Sequence, residues 1–403
     1  MATDPLSLLS SSRWIAEAAL AGASEAALVD GVCARLGDRG FGLKRVMFGI
    51  DTLHPVVRGR SFIWQRGTGV KPQEFGRADT QVESKWEQSP HYRLMQTGER
   101  SLRRRIRAGD NQPREFPVLD DLAAEGTTDY VAFFTRFGET ATIGEMDCVY
   151  SSWTTDRPDG FADDELAAMD SLGLYLAAAI RHVTVARIAE TLVETYLGRD
   201  AGRRVLKGAI ARGVAERIHA VLWFSDLKGF TRLVDTLPPQ SVIPLLNDYA
   251  EALVSAIHGQ GGQVLKFIGD GILAIFETGD PGEDCRRALA ATEDAIGRVE
   301  TLNARRSAAA VPTTGFYLAL HIGDVFYGNV GSADRLDFTV IGPAVNEVTR
   351  IAGMCRSLEQ DIVVSAAFAA AAATVGARLV SLGRYALRGV SRPQELFTVE
   401  RTG

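Results

Sequence analysis

The sequence predicts a mixed α/β (α+β) protein made of two domains that are joined by a long helix. The chain has 403 residues, more than a single domain usually contains. Stretches with helical periodicity alternate along it with short apolar runs that are typical of strands. One continuous helical stretch, from about Asp163 to Leu197, separates the two regions and ends at Gly198. We therefore divide the chain into residues 1–162, 163–214 and 215–403.

Composition and charge indicate an ordinary globular protein. Apolar residues make up 46% of the chain and charged residues 23%, and the formal net charge is −6. A negative net charge disfavours a protein that binds nucleic acid by neutralising phosphates, so no nucleic-acid partner is expected. The basic run from Glu99 to Arg107 is a local exception, and we interpret it as the solvated face of a strand or helix.

Cysteine usage and hydropathy bear on the cellular compartment. No cysteine belongs to a Cys-x-x-Cys pair, and the four lie far apart at Cys33, Cys148, Cys285 and Cys355. This pattern predicts neither a zinc site nor a disulfide framework, and it fits a reducing cytosol. The N-terminus shows no signal-peptide pattern. Charged residues interrupt the most apolar stretch, Leu166 to Val185, so we expect no membrane span and a cytoplasmic protein.

The first region begins with helical periodicity between Trp14 and Leu36. Gly22 and Ser24 divide this stretch into two helices, with Ser24 as the N-cap of the second. The polar, charged stretch between residues 67 and 128 is expected to be rich in loops. Strand-like runs lie on either side of it, at residues 45–50, 61–64, 130–134 and 146–153.

The helix predicted from Asp163 to Leu197 opens with three acidic residues, which the helix dipole favours in a first turn. Its apolar stripe consists of Leu166, Met169, Leu176, Ile180, Val183 and Leu192. The stripe can dock on a neighbouring domain, or it can form a parallel two-helix seam between two copies of the chain. Basic residues in the segment from Gly198 to Glu216 predict a solvated linker; they are Arg199, Arg203, Arg204 and Lys207.

The second region alternates strands and helices. One helix covers residues 246–257, and Asp280 caps another that begins with Pro281 and runs to about Arg305. Gly269-Asp270-Gly271 is a hairpin turn between two of the strands. The strands are predicted at residues 219–225, 263–268, 272–276 and 316–322. The resulting order β-α-β-β-α-β is the ferredoxin-like pattern.

Two segments of this region place carboxylates at strand ends. Phe224 to Thr231 ends a strand with Asp226 and then turns through Gly229 into a helix, where free N–H groups suit a phosphate. Lys266 to Gly271 places Asp270 in a tight turn beside the end of that strand. Two converging carboxylates suit divalent cations that hold a phosphate group.

A third segment runs from Asp337 to Arg350. Asn346 and Arg350 lie four residues apart and therefore share a helix face. An amide and a guanidinium together suit a ribose and a charged triphosphate. Each of the three segments alone is common in proteins, but their order and spacing together are specific.

Together these segments resemble the class III adenylate and guanylate cyclases. The resemblance covers residues 215–403 and includes the runs 320–331 and 382–393. It implies an enzyme that makes cyclic AMP and pyrophosphate from ATP with two divalent cations, Mg²⁺ or Mn²⁺. It also implies an active site between two catalytic domains. Because one chain carries both sets of residues, a homodimer is expected.

The resemblance also assigns roles to individual residues. Asp226 and Asp270 would bind the metal ions, with the backbone carbonyl of Leu227 as a further ligand. Asn346 and Arg350 would orient the ribose and stabilise the transition state. The triphosphate would be contacted by Gly229, Phe230, Thr231 and Arg388.

Two positions choose the base in this family, and here they are Lys266 and Thr339. Lysine donates and threonine both donates and accepts, so the pair suits adenine and favours ATP. Most members carry aspartate where Thr339 stands. The threonine form is similar to a subgroup that includes bicarbonate-stimulated cyclases, which makes bicarbonate a candidate partner. Pro343 is a second departure, at a position where the family often has aspartate or asparagine.

Two alternative functions are kept. A catalytically weak homologue that senses nucleotides would be indicated by the loss of a metal aspartate or of Arg350, and none of these residues is lost. A diguanylate cyclase of the GGDEF type, which shares the core fold, would need a Gly-Gly-Asp/Glu-Glu-Phe turn. The Gly269-Asp270-Gly271 turn does not supply one.

The first region resembles a GAF domain, a module that senses small molecules. The resemblance covers roughly residues 10–185 and rests on layout: a helix, antiparallel strands, a loop-rich stretch, further strands and a long exit helix. A PAS-type module is the alternative. Either module implies a small-molecule ligand, whose identity the sequence does not indicate, and regulation of the catalytic domain.

Overall fold

The computed structural model describes residues 5–106, 114–388 and 393–399, with the backbone alone at residues 5–7 and 80–83. The chain consists of two compact units, Met1–Leu192 and Val193–Gly403. Both units combine helices with a sheet, so the predicted α+β class is confirmed. The boundary between the units falls within the long helix, whereas the sequence placed the end of the first domain before that helix.

The strands of the first unit are β1 (Leu43–Asp51), β2 (Val57–Gln65), β3 (Gly69–Gly76), β4 (Ser101–Arg105), β5 (Asp129–Arg136) and β6 (Cys148–Thr155). They pair antiparallel in the order β3-β2-β1-β6-β5-β4. The helices are α1 (Pro5–Leu20), α2 (Glu25–Asp38), α3 (Thr80–Glu87), α4 (Pro90–Thr97), α5 (Pro117–Ala124) and α6 (Asp163–Leu197). Ser24 caps α2 as predicted, because its side chain accepts from the backbone N–H of Ala27 at 3.2 Å.

Successive side chains of each strand point to opposite faces of the sheet, and in the first unit both faces are packed. On β1, Val46, Phe48 and Ile50 are buried in a core that they share with α1, α2 and α6. The residues between them, such as Met47 and Gly49, belong to the opposite face. That face packs on α4 and α5 through a second apolar cluster, which includes Leu94, Leu119, Tyr130 and Phe134.

The expectation of a loop-rich stretch between residues 67 and 128 is wrong. The stretch holds β3, β4, α3, α4 and α5, none longer than 8 residues. Elements this short show little periodicity, so the pattern that reveals long helices is absent. Local signals define them instead. Ser89 accepts from the backbone N–H of Tyr92 at 3.1 Å to begin α4, and Gly98 in a left-handed conformation ends it.

The basic run forms the edge strand β4, but its arginines are not simply solvated. Arg103 forms a 2.6 Å ion pair with Asp129, whose side chain is fully buried. Arg104 forms another 2.6 Å pair with Glu115. These contacts tie the edge strand to the rest of the unit. Arg107, the last residue of the run, lies outside the described residues.

Helix α6 has the predicted bounds. By length and composition it could cross a membrane, because an 18-residue window within it reaches a mean hydropathy of 1.3, so the expectation that charges interrupt it too often is not supported. One row of its side chains is instead buried in the core of the first unit: Met169, Leu172, Leu176 and Ile180. A helix packed in the core of a protein has the same apolar composition as one that crosses a membrane, so length and hydropathy alone do not distinguish the two.

The second unit begins at the end of α6. Its elements are α7 (Arg199–Leu206), β7 (Ala215–Leu227), α8 (Phe230–Thr236), α9 (Pro239–Gly259), β8 (Gln263–Ile268), β9 (Gly271–Phe276), α10 (Pro281–Ala308), β10 (Phe316–Gly331), β11 (Leu336–Ile341), α11 (Pro343–Met354), β12 (Ile362–Ser365), α12 (Ala366–Ala373), β13 (Leu379–Tyr385) and β14 (Gln394–Val399). The sheet order is β13-β14-β12-β10-β7-β9-β8, and β11 pairs with β10. The predicted β-α-β-β-α-β order is confirmed between β7 and β10.

The central strand of this sheet is β7, which pairs antiparallel with β10 on one side and with β9 on the other. Val221 and Trp223 belong to the apolar cluster formed with α9 and α10. Ala220 and Leu222 belong to the cluster formed with α11. The middle of β7, from Ala220 to Trp223, is buried on both faces, and the carboxylate of Asp226 lies partly exposed near the C-terminal end of the strand.

The segment expected to be a solvated linker contains a helix that packs within the second unit. Helix α7 buries Ala201 and Gly202. Arg204 pairs with Asp200 and Glu216 at 2.7 and 3.0 Å. The abundance of arginine suggested solvation, but Ala201 is buried in the apolar cluster that includes Leu222 in β7. Gly202 lies close to the backbone of Val193 and Glu194, where a side chain would not fit.

Candidate active site

Two carboxylates meet at the end of β7. Ser225 on β7 is the registered partner of Ile272 on β9. The next residue along β7, Asp226, therefore lies beside the β8–β9 turn that carries Asp270. The backbone N–H of Leu227 donates a hydrogen bond to Asp270 Oδ2 across 3.2 Å. The structure thus brings together the three residues that the sequence suggested as metal ligands.

Glycine on either side of Asp270 allows this turn to approach β7. Gly269 has a φ of 64°, in the left-handed region that favours glycine. A Cβ on Gly271 would lie 3.1 Å from the backbone carbonyl oxygens of both Ile268 and Ser225. A larger residue would push the turn away from β7. The Gly-Asp-Gly motif therefore determines how closely the two carboxylates approach.

The two carboxylates disfavour each other's charge. Partial burial, and then the hydrogen bond and charge of Asp270, raise the pKa of Asp226 to about 6. A divalent cation would relieve this repulsion. The described residues contain no group of three or more His, Cys, Asp or Glu side chains that could hold a metal. Two carboxylates with a backbone carbonyl, water and substrate phosphates are nevertheless an ordinary ligand set for Mg²⁺, so the site fits such an ion.

The chain turns from β7 into α8 at Gly229, whose φ is 63°. Just before the turn, the backbone N–H of Lys228 donates to the carbonyl of Gly315 at 2.9 Å, which fixes the end of the strand. The first N–H groups of α8, at Phe230 and Thr231, have no partner within the helix. These are the backbone donors that the sequence suggested for the phosphates.

Lys266, one of the suggested base-reading residues, forms an ion pair with Asp337. Asp337 lies on β11 two residues before Thr339, so the two share a strand face. Phe338 and Val340 lie on the other face and are buried. The ion pair therefore places Lys266 beside the face that carries Thr339. Sequence reasoning gave Asp337 no role, although the alternation of polar and apolar residues along β11 could have revealed this shared face.

Asn346 and Arg350 lie on the outer side of α11. The helix begins with Pro343 at its first position, where proline is tolerated because its missing N–H is not needed. Asn346 is exposed and Arg350 is half-buried. Glu347 lies between them, and burial raises its pKa while the charge of Arg350 opposes that shift. The helix buries its other side through Ala344, Val348, Ile351 and Ala352.

Arg388 is exposed. It follows Leu387, which is buried in the apolar cluster of β7 and α11. Its backbone is therefore anchored while its guanidinium faces solvent. Residues 389–392 of the predicted run lie outside the described residues.

The suggested site residues fall into two groups. The first group contains the carboxylate pair and the turn after β7. The second group contains Lys266, Thr339, Asn346 and Arg350. Among residues 215–388, no hydrogen bond or ion pair joins the carboxylate pair to a member of the second group.

Exposed apolar side chains lie close to both groups. Phe267 and Ile268, at the end of β8, are 58% and 46% exposed. Phe326 on β10 and its cross-strand partner Ile341 on β11 are 54% and 47% exposed. The ion pair between β8 and β11 brings these strands side by side. We name these four residues the apolar rim. An exposed apolar surface of this kind is typical of a contact with another protein.

Comparison with known proteins gives a family match that lies within the second unit. Residues 214–401 match the family described as the adenylate and guanylate cyclase catalytic domain. An uncharacterized protein of Mycobacterium tuberculosis is 34% identical over 209 residues, or 51% of this chain and 37% of that protein. An adenylate cyclase of Anabaena cylindrica is 32% identical over 157 residues, or 38% of this chain and 30% of that protein. The chain thus spans about a third of the length of these relatives.

Among solved structures, the adenylyl cyclase CyaB from P. aeruginosa is 23% identical to this chain. The alignment covers 47% of this chain and 97% of that one, with a TM-score of 0.43.

Proposed function

We propose, from the premise that residues 214–401 are an adenylate and guanylate cyclase catalytic domain, that the protein converts ATP into cyclic AMP and pyrophosphate. The observation that carries the proposal is the meeting of Asp226 and Asp270 at the end of β7, tied by the hydrogen bond from Leu227. Within a cyclase domain this carboxylate pair is suited to two divalent cations. The preference for ATP over GTP, the use of Mg²⁺ or Mn²⁺ and the regulation by the first unit are all parts of this proposal.

The carboxylates of Asp226 and Asp270 and the carbonyl of Leu227 would hold Mg²⁺ or Mn²⁺. Bound there, the cations would lower the pKa of the ribose 3′-hydroxyl and neutralise charge on the triphosphate. The mutual repulsion that raises the pKa of Asp226 supports this role, because cation binding offsets it. The glycines flanking Asp270 support it as well, because they allow the turn to come close enough for both acids to share a ligand.

The remaining residues of the chain bind and orient the nucleotide. The N–H groups of Phe230 and Thr231, presented by the turn at Gly229, would bind phosphate oxygens. Arg350 and Arg388 would neutralise the negative charge that builds up on the pyrophosphate as it leaves. The amide of Asn346 would hold the ribose so that its 3′-oxygen is in line with the α-phosphorus.

Base recognition would involve Lys266 and Thr339. The ammonium of Lys266 can donate to adenine N1, whereas guanine presents an N1–H there. The hydroxyl of Thr339 can accept from the adenine amino group. The ion pair with Asp337 supports this assignment, because it holds the ammonium next to the strand face that carries Thr339. The Lys/Thr combination also makes bicarbonate a candidate activator.

The active site would form between two copies of the chain. Two observations support this. The carboxylate pair has no hydrogen bond or ion pair to the nucleotide-orienting residues in the described part of one chain. The apolar rim, formed by Phe267, Ile268, Phe326 and Ile341, is exposed beside both groups. A two-fold interface that covers the rim would create two equivalent sites.

The first unit would regulate the second as a GAF-like sensor. Its antiparallel sheet, packed by helices on both faces, is compatible with that fold. A ligand that prefers one arrangement of the dimer would shift the equilibrium between active and inactive forms by its differential affinity.

Turnover of nucleotide by the purified protein tests the proposed activity. ATP and GTP are each supplied with Mg²⁺ and with Mn²⁺, and the cyclic products are separated by chromatography. We expect cyclic AMP and pyrophosphate in equal amounts, with ATP strongly preferred. Cyclic GMP as the main product would overturn the proposed base preference, and no cyclic product with either metal would overturn the proposed enzyme.

A further inference from the structure

The first unit contains a cavity of about 600 Å³ between its sheet and helices α3 and α4. This volume lies in the range of small-molecule sites, roughly 300–1,000 Å³. Strands β1, β2 and β6 supply the floor, with Met47 and Asp51 from β1. The cavity therefore lies on the sheet face opposite the core formed with α1, α2 and α6.

Two glycines make room for side chains of this cavity. A Cβ on Gly49 would lie 2.3 Å from the ring of Tyr150, a distance that real Cβ atoms do not adopt. A Cβ on Gly59 would lie 2.6 Å from Asp51 Oδ1. Glycine at both positions allows the Tyr150 ring and the Asp51 carboxylate to occupy the space above the sheet. Strand interiors otherwise disfavour glycine, so its use at both places indicates a built pocket.

Three aromatic rings form one wall of the cavity. The centroid of the Tyr150 ring lies 5.0 Å from that of Trp86 and 4.9 Å from that of His91. Trp86 and His91 are themselves nearly parallel, with 4° between their planes. Because the rings pack against one another, they present a continuous surface and not an open cage. Such a surface suits a flat aromatic ligand, and Met47 and Met95 add adaptable apolar contacts.

The polar groups of the cavity are mainly acceptors. Burial lowers the pKa of His91 to about 4, so its ring is neutral near pH 7. His91 Nε2 lies 3.1 Å from the carbonyl of Ser151. Because a carbonyl can only accept, Nε2 carries the proton and Nδ1 is left as an acceptor. The Asp51 carboxylate is a second acceptor. Arg58, from β2, also lines the cavity and is a donor.

The charges around the cavity disfavour an anionic ligand. Four carboxylates line it, and two basic residues accompany them: Asp51, Glu87, Glu145 and Asp147, with Arg58 and Lys85. Arg77 pairs with Glu145 at 3.0 Å and its charge also acts on Asp51, so three cations stand against the four carboxylates. A phosphate placed in the cavity would face a surplus of negative charge.

We propose that this cavity binds an unphosphorylated nitrogen heteroaromatic ring, stacked on the wall of Trp86, His91 and Tyr150 and donating an N–H to Asp51. The ligand is of nucleobase or pteridine size and is neutral or cationic. The site gives the first unit a specific ligand chemistry, and it does not depend on the proposed cyclase activity.

Binding of defined probes to the intact 403-residue chain tests the site. Adenine, hypoxanthine and lumazine serve as unphosphorylated heteroaromatics and AMP as the phosphorylated counterpart, each measured by calorimetry without ATP or metal. We expect saturable binding of at least one of the three, and weaker binding of AMP at this site. No saturable binding by any of them up to millimolar concentration would overturn the proposal, as would tighter binding of AMP that depends on Arg58.

Variants identify where the probe binds. Trp86→Leu and Asp51→Asn should each weaken binding by about tenfold or more. The first removes a stacking surface, and the second removes the charge of the acceptor. Gly59→Ala should weaken binding likewise, by displacing Asp51 without touching the aromatic wall. Asp30→Asn, at an exposed position on α2, is the matched control and should bind normally.

A catalytic-domain variant separates this site from the proposed ATP site. Lys266→Ala should leave probe binding unchanged, because Lys266 belongs to the second unit. Loss of binding in Lys266→Ala, with retention in Trp86→Leu, would place the probe in the catalytic domain and overturn the proposal. Unchanged melting temperatures in each variant exclude loss of the fold as the cause.

Discussion

The backbone N–H of Leu227 donates a hydrogen bond to the side chain of Asp270 across 3.2 Å. This bond ties the end of the central strand β7 to the β8–β9 turn. It therefore holds Asp270 next to Asp226, which directly precedes Leu227. Asp226 lies on the paired strand β7 and Asp270 lies in the turn between the paired strands β8 and β9, so the fold itself sets how closely the two acids approach.

Removing either acid should abolish turnover while leaving the fold intact. Asp226→Asn and Asp270→Asn each remove a charged metal ligand at nearly constant size. Because a bound metal supplies several kcal/mol of transition-state stabilisation, the loss of kcat should be about 1,000-fold or more. Cyclic AMP formation by each variant measures this loss. Asp235→Asn, at an exposed position on α8, is the control and should retain activity. Near-normal activity of either active-site variant would refute the metal assignment.

The stabilisation given by divalent cations should depend on pH. The pKa of Asp226 is raised from 3.8 to about 6. A carboxyl group with a raised pKa contributes stability that is fully present below pH 3.8 and is lost as the pH rises through about 6. Cation binding offsets this loss, so Mg²⁺ or Mn²⁺ should raise the melting temperature more at pH 7.5 than at pH 5. Thermal melts of wild type and Asp226→Asn measure the effect, and an equal response in both proteins would contradict it.

Base preference should change when Lys266 on β8 and Thr339 on β11 are replaced together. Lys266→Glu with Thr339→Cys suits guanine, but the new glutamate would face Asp337. We therefore add Asp337→Asn to remove that repulsion. The ratio of kcat/KM for ATP to that for GTP should fall in the triple variant. An unchanged ratio would show that these positions do not read the base.

Asp337→Asn alone is the matched control for that variant. The ion pair is half-exposed on both sides, and such pairs contribute only about 0–1 kcal/mol. The KM for ATP should therefore rise by no more than about fivefold, with kcat little changed. A loss of kcat of a hundredfold would mean that Asp337 does more than position Lys266.

Communication between the two units should depend on the helical register of α6. Inserting one to seven alanines between Leu192 and Val193, at the unit boundary, rotates the C-terminal part of the chain by about 100° per residue. If the first unit controls the geometry of the catalytic dimer, cyclase activity should oscillate with insertion length. If it only raises the local concentration of catalytic domains, all insertions should be about equally active, and the regulatory role of α6 would be refuted.

Long elements of the fold were predictable from sequence because their patterns repeat. Helix α6 has the predicted bounds, and β8 and β9 were located by the Gly-Asp-Gly turn between them. The stretch between residues 67 and 128 was not predictable, since its elements are too short to show a period. The packing of α7 was also missed, because its arginines masked two small buried residues: Ala201, which lies in the apolar cluster, and Gly202, which lies close to the backbone of Glu194.

The candidate site was predictable where a residue's role follows from its local motif. Asp226 lies at the end of a strand and Asp270 lies in the turn that joins two strands, so their meeting follows from the order of the strands in the sheet. The pairing of Lys266 with Asp337 was not predictable in the same way. These residues lie 71 positions apart, and only the packing of β11 beside β8 brings them together. The cavity of the first unit was likewise invisible, because it requires helices α3 and α4, which were expected to be loops.

Complementation between two inactive variants tests the central claim, a cyclase site shared by two chains, most directly. Asp226→Ala removes a metal ligand and Arg350→Ala removes a transition-state contact. After subunit exchange, half of the dimers carry one variant of each kind, and each of these has one intact site. Asp226→Ala mixed with Asp270→Ala is the control, because both changes break the same half of the site.

The measured quantity is the rate of cyclic AMP formation from ATP. Each variant alone should be almost inactive, and the Asp226→Ala and Arg350→Ala mixture should recover about a quarter of the wild-type rate, since one site in four is intact. The control mixture should recover nothing. If the first mixture also recovers nothing although the two variants co-assemble, the carboxylate pair and Arg350 do not act across a dimer interface, and the shared site is wrong.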